Sequence, residues 1–193
     1  MDISNQFKKY LKEHIEISAS LFDISEQVHT ASNLCIKTLK NGGKIIFFGN
    51  GGSASDSQHL SSELIGRFQK DRIPLAAISL TTDTSAITAI SNDYKFENIF
   101  SRQLSALGKK GDCVFALSTS GNSKNVLNAI KLSKEIGISS ISLLGNNGGL
   151  IKSFSDIPIV VPSQSTARIQ EFHIFIGHVI CSNIEKGLGL IKE

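Results

Sequence analysis

His59 and Glu63 stand four residues apart inside GNGGSASDSQHLSSEL (49–64). On a helix, positions i and i+4 share one face a turn apart. Such a pair can ligate one metal ion or act as acid and base, although the spacing is also that of an ordinary surface ion pair. Just upstream, Asn50, Gly51, Gly52 and Ser53 combine a soft backbone with polar side chains. A second loop, STSGNS, sets Ser118, Thr119, Ser120 and Ser123 around Gly121 and leads into another helix-like stretch. The free N–H groups and positive dipole end of a helix N-terminus, approached by glycine and ringed by hydroxyls, make a phosphate cradle. The simpler alternative is a βα turn capped by Asn122 or Ser123. Neither loop matches GxxxxGK[ST], and no GxGxxG occurs, which argues against a nucleotide site. A third polar group lies in RIQEFHIFIGH (168–178), where Gln170, Glu171, His173 and His178 interrupt an apolar background. Glu171 and His178, seven apart, are nearly eclipsed on a helix, and Gln170 and His178, eight apart, differ by about 80°. Each is equally a satisfied polar group at a helix–helix contact, and His14 and His29 receive no role.

The elements that must carry these residues alternate. Short apolar runs at 44–49, 75–80, 113–118, 140–145 and 157–162 read as strands of a parallel sheet buried on both faces. Between them, 53–68, 83–107 (two helices broken near Asn92), 122–136 and a short piece near Leu150 read as helices, and 166–186 as a last one. Residues 1–41 are helical, with a second stretch from Ser25 to Leu39, stopped by Asn41-Gly42-Gly43. The expectation is an α/β chain with a doubly wound five-stranded parallel sheet and a helical N-terminal segment: one domain over 1–193, with 1–41 as the helical region and 42–187 as the core. Ligands of such sheets bind beyond the C-terminal strand ends, where both Gly/Ser loops fall. The apolar N-terminal and last helices favour an oligomer.

The 193 residues, 40% hydrophobic and 19% charged, suit a globular domain. A net charge of +3 with scattered lysines gives no nucleic-acid footprint but tolerates a small anion. Cys35, Cys113 and Cys181 are too dispersed for a disulfide framework or a thiolate zinc site, and they indicate a reducing compartment. With no signal-like N-terminus and no apolar run of membrane length, the sequence predicts a soluble cytoplasmic protein.

Together GNGGSASDSQHLSSELIGRF, SLTTDTSAITAISNDYKFENIFSRQ, ALSTSGNSKNVLNAIK and VPSQSTARIQEFHIFIGHVI resemble the sugar isomerase (SIS) domain, and within it the sedoheptulose 7-phosphate isomerases, from about residue 40 to 186. That resemblance implies an SIS fold and isomerisation of sedoheptulose 7-phosphate to glycero-manno-heptose 7-phosphate, toward the heptoses of bacterial surface glycans such as lipopolysaccharide core or capsule. It implies a homotetramer with active sites at subunit interfaces and one zinc ion per subunit. By motif, it places zinc on His59, Glu63, Gln170 and His178, with Glu63 and His178 as acid–base residues. Substrate contacts would be Asn50, Gly51, Gly52, Ser53, Glu63, Asn92, Asp93, Ser118, Thr119, Ser120, Ser123 and Gln170. Thr166 and Ala167 stand where some relatives carry an aspartate and are assigned no role. Related domains also serve as non-catalytic sugar-phosphate sensors or as a scaffold that binds a replication initiator. The intact set of Glu63, Gln170 and His178, with Arg67 beside it, favours catalysis.

Overall fold

The computed structural model describes residues 3–191. Five parallel strands, β1 (Ile45–Gly49), β2 (Ala77–Ser79), β3 (Cys113–Ser118), β4 (Ser139–Leu144) and β5 (Ile157–Val160), lie in the order β2-β1-β3-β4-β5. Register runs Ile45↔Ala77 and Ile45↔Cys113, Cys113↔Ser139, and Ile141↔Ile157. The order reverses between β1 and β3, and that is where an open α/β sheet opens its ligand crevice.

The strands are mostly apolar because both faces are covered, with buried serines at Ser140 and Ser142 of β4, and alternate side chains divide between two cores. Ile45, Phe47, Cys113, Phe115 and Leu117 pack under α1 (Ile3–Ser20), α2 (Ser25–Lys40), α3 (Gly52–Ile65) and α7 (Thr166–Gly187). Ile46, Phe48, Val114 and Ala116 pack under α4 (Thr84–Tyr94), α5 (Ile99–Leu107) and α6 (Lys124–Glu135). Burying each large apolar side chain contributes about 1.5–3 kcal/mol, so the two-sided sheet is the rigid frame on which the loops are mounted.

The boundaries differ from the sequence expectation in small ways. The helical break falls at Lys95 (φ 73°) rather than at Asn92, followed by a 3₁₀ turn over Phe96–Asn98. The piece near Leu150 is a single 3₁₀ turn, Ile151–Ser153. α3 ends at Ile65, and 66–76 is irregular. A 3₁₀ turn, Leu21–Ile24, separates α1 from α2, and Gly42 (φ 78°) supplies the expected left-handed stop. α1 buries only Ile17 and leaves Phe7 67% and Ile15 59% exposed, with Phe22 of the following turn at 81%. No helix of the described residues is long and apolar enough to cross a membrane.

Candidate active site

Two loops form the crevice at the β1/β3 reversal. After β1, Asn50 turns the chain into α3, with Gly51 (φ 56°, ψ −121°) as N-cap and Ser53 buried at the first turn. Gly52 is compact for a reason: a Cβ there would stand 2.3 Å from Nε2 of Gln170. After β3, Ser118 Oγ donates to Ser123 Oγ at 3.2 Å, and Gly121 N–H donates to the Ser118 carbonyl at 3.1 Å. Ser123 is the N-cap residue of α6, yet its side chain makes no cap bond, so its hydroxyl is turned to the loop. Gly121 (φ 65°) is required by close approach, since a Cβ would meet the Gly148 carbonyl oxygen at 2.1 Å. Beside it opens a cleft of about 690 Å³, lined by hydroxyls and amides such as Ser120, Asn122, Asn146 and Gln164 and by no charged side chain.

The two loops are bolted together by a pair that sequence reasoning did not find. Asn50 Nδ2 donates to Asn125 Oδ1 at 2.9 Å, and Asn125 Nδ2 donates back to Asn50 Oδ1 at 2.8 Å. Asn125 Oδ1 also accepts the Val126 N–H, and the residue is buried. A partner 75 residues away leaves no local signal.

The titratable cluster is built by α3 and α7, which run side by side in the same direction, Gly52 by Gln170 and Leu60 by Gly177. A Cβ on Gly177 would lie 2.6 Å from Leu60 Cδ2, so the missing side chain is what lets the helices approach. His59 Nε2 lies 3.1 Å from Glu63 Oε1 and 3.1 Å from His178 Nε2. Ligand atoms of His59, Glu63 and His178 all fall within 4.8 Å of one another. Burial, and then the charge of His59, push the His178 imidazole below its ordinary range, opposed by Glu63. Phe68 packs its ring on His178, centroids 5.3 Å apart. Two imidazoles and a carboxylate converging on one point suit a zinc ion or a proton relay.

The remaining expected residues are placed as follows. Gln170 packs on Gly52, eight residues and so about 12 Å of helix axis from His178. Asn92 and Asp93 are exposed on the last turn of α4 and hydrogen-bond each other at 2.8 Å. Arg67 is exposed. Glu171 faces away from the cluster: its Oε2 lies 2.9 Å from His14 Nδ1, and its other oxygen accepts from Arg168. His14, given no role from sequence, therefore helps clasp α1 to α7. His173 is buried against the Leu144 carbonyl. The cluster does not sit at the crevice rim: Ser53 and Glu63 are ten residues apart, about 15 Å along α3.

Comparison with known proteins agrees with this architecture. The SIS domain family matches residues 9–145. The chain is 51% identical over 180 residues to the phosphoheptose isomerase of a Nitratiruptor species, covering 93% of this chain and 96% of that one. It is 49% identical over 179 residues to a phosphoheptose isomerase of Helicobacter pylori, covering 93% of each. The solved structure of phosphoheptose isomerase from Neisseria gonorrhoeae superposes with a TM-score of 0.91 at 41% identity, over 95% of this chain and 99% of that one. The chain belongs to the phosphoheptose isomerase family of SIS-domain proteins.

Proposed function

We propose that this chain is an aldose–ketose isomerase converting sedoheptulose 7-phosphate to D-glycero-D-manno-heptose 7-phosphate through an enediol, in the synthesis of heptose for surface glycans. The observation that carries the reading is the convergence of His59, Glu63 and His178 on one point from two helices. Isomerisation removes a proton from C1 of the ketose and returns one to C2, while the O1 proton leaves and O2 gains one. Glu63 is the carboxylate base for the carbon proton, and His178, favoured in its neutral form by burial, takes and gives the oxygen proton. The loop around Ser118, Thr119, Ser120 and Ser123 and the N-terminus of α3 hold the 7-phosphate, which fixes the sugar's register.

Zinc fits the donor set of His59, Glu63 and His178, and when bound it would polarise a substrate oxygen. Gln170 as a fourth ligand must leave Gly52 or come from another copy. A glutamate shared with zinc is a weaker base, so Glu63 serves fully in only one of these roles at a time.

We also read the working site as forming between copies of the chain, in a homotetramer. This is supported by the distance along α3 between cradle and cluster, and by the exposed apolar surface of α1, Phe22 and Phe175. A cytoplasmic location is supported by three buried, unpaired cysteines.

The test is proton exchange in deuterated buffer, followed by NMR with sedoheptulose 7-phosphate, with and without chelator. Deuterium at C2 of a new aldoheptose phosphate is the expected result, and the chelator arm reads the metal. Binding with neither exchange nor product refutes catalysis and returns the chain to the sensor or scaffold class. A companion variant, Asn125→Asp, removes the amide donor that satisfies Asn50 Oδ1 and adds a negative charge beside the cradle. An unmade buried bond of this kind costs about 1–3 kcal/mol. KM should rise about tenfold at nearly unchanged kcat, and a fall in kcat at constant KM would place the amide pair outside the cradle.

A further inference from the structure

Arg72 and Glu185 are the most deeply buried ion pair among the described residues, their side chains 1% and 0% exposed. Neither belongs to a motif. Arg72 Nε donates to Glu185 Oε1 at 2.9 Å. Its Nη1 reaches the carbonyls of Leu64 (2.8 Å), Gly66 (3.1 Å) and Ile73 (2.9 Å), and its Nη2 reaches the carbonyl of Glu63 itself at 2.6 Å. A helix C-terminus leaves such carbonyls without intrahelical partners and carries a negative dipole end. The guanidinium fork therefore caps α3 at the turn that bears Glu63. Glu185 accepts two further donors, the N–H groups of Phe68 (3.0 Å) and Gln69 (3.3 Å). Phe68 in turn packs on the His178 ring.

Resting on the functional reading above, we infer that Arg72 and Glu185 are positioning residues for the isomerase centre. One salt bridge holds the backbone of Glu63 at one end and the aromatic neighbour of His178 at the other, from the last turns of α7. Catalytic geometry is sensitive to displacements near 1 Å, and the pair's remaining donors and acceptors go to the backbone that carries Glu63 and Phe68. The arrangement therefore predicts an effect on turnover separable from folding.

Two variants test it. Arg72→Lys keeps the charge but replaces the rigid fork with a single ammonium that cannot serve four carbonyls and a carboxylate together. The double variant R72M/E185M replaces the pair with apolar side chains of similar length and leaves no unpaired buried charge. It also withdraws the partner of the Glu63 carbonyl and of the Phe68 and Gln69 N–H groups, so its thermal midpoint is read beside its activity. Three quantities are read on the purified full-length protein: the thermal midpoint, kcat and KM for sedoheptulose 7-phosphate, and the ring-current shift that Phe68 imposes on the His178 ring protons at one fixed pH. The expected result is a folded protein whose kcat falls about tenfold or more, with KM within about twofold and the His178 shift displaced. A folded variant with wild-type kcat and an unmoved His178 overturns the inference, as does a loss of activity that only tracks the unfolded fraction. If the double variant does not fold, Arg72→Lys decides by the same criteria. If the wild-type chain has no isomerase activity, the functional reading fails, and the His178 shift alone still decides whether the pair positions that ring.

Discussion

Glu63→Gln should lower kcat about 10²–10⁴-fold, the range a positioned general base contributes, with the fold unchanged. Glu63 is 21% exposed, and its carboxylate bonds His59, while the carbonyl held by Arg72 is untouched by the substitution. Glutamine keeps the size and one acceptor oxygen but cannot take a proton. Loss of C2 deuterium incorporation, measured beside an unaltered thermal midpoint, checks the assignment, and wild-type exchange in the folded variant sinks it. The same protein separates the two roles of the carboxylate. If Glu63 acts chiefly as a zinc ligand, added zinc restores a large share of the exchange, because an amide oxygen still ligates weakly. If it acts chiefly as the base, zinc restores nothing.

The parts of this site that were legible in the sequence are those with a local pattern. The strands were readable because burial on both faces makes them mostly apolar runs, and β1 and β3 fell within a residue of their expected limits. The glycine and serine loops were readable because they follow strands and open helices, and His59 with Glu63 because i, i+4 is a helical period. What was not legible is what the fold joins at a distance. Asn50 meets Asn125 across 75 residues, Arg72 meets Glu185 across 113, and His14 meets Glu171 across 157. No spacing rule picks one asparagine or arginine from its neighbours. Helical phase alone also does not say what Glu171 and Gln170 meet: one is taken by His14 and Arg168 and the other lies on Gly52. Axial position and a competing partner decide such cases, and only the packed structure contains them.

His173 gives the largest expected effect on stability, and its sign follows from burial. The ring is 0% exposed, and its Nε2–H donates to the Leu144 carbonyl at 3.1 Å, while Nδ1 is buried with no hydrogen-bond partner among the described residues. Burial pushes its pKa down to about 4, partly offset by the bond to Leu144, from an ordinary 6.5. The folded protein thus refuses a proton that the unfolded chain accepts. Stability from this group is complete above about pH 6.5, falls as the pH drops, and stops falling below about 4, where both states are protonated. At 1.36 kcal/mol per pKa unit the loss is about 2 kcal/mol at pH 5 and about 3 kcal/mol near pH 4. His173→Leu isolates the effect. The Leu144 carbonyl keeps its second donor, the Val161 N–H at 2.9 Å, so the substitution leaves no acceptor unsatisfied and removes the unpartnered Nδ1. Denaturant midpoints of the two proteins should lie close together at pH 7.5, and the variant should be the more resistant one at pH 4.5. Parallel pH profiles would show that His173 does not hold its proton off. The proposed cradle does not share this dependence. Leu144 leads into Gly145 and Asn146, and Asn146 Nδ2 donates to the Thr119 carbonyl at 3.0 Å, but in the folded protein His173 stays neutral down to about pH 4. Between about pH 6.5 and 4 the loss is therefore one of stability, carried by the unfolded chain's proton, and the end of β4 on which the serine loop rests is the same in the wild type and in His173→Leu.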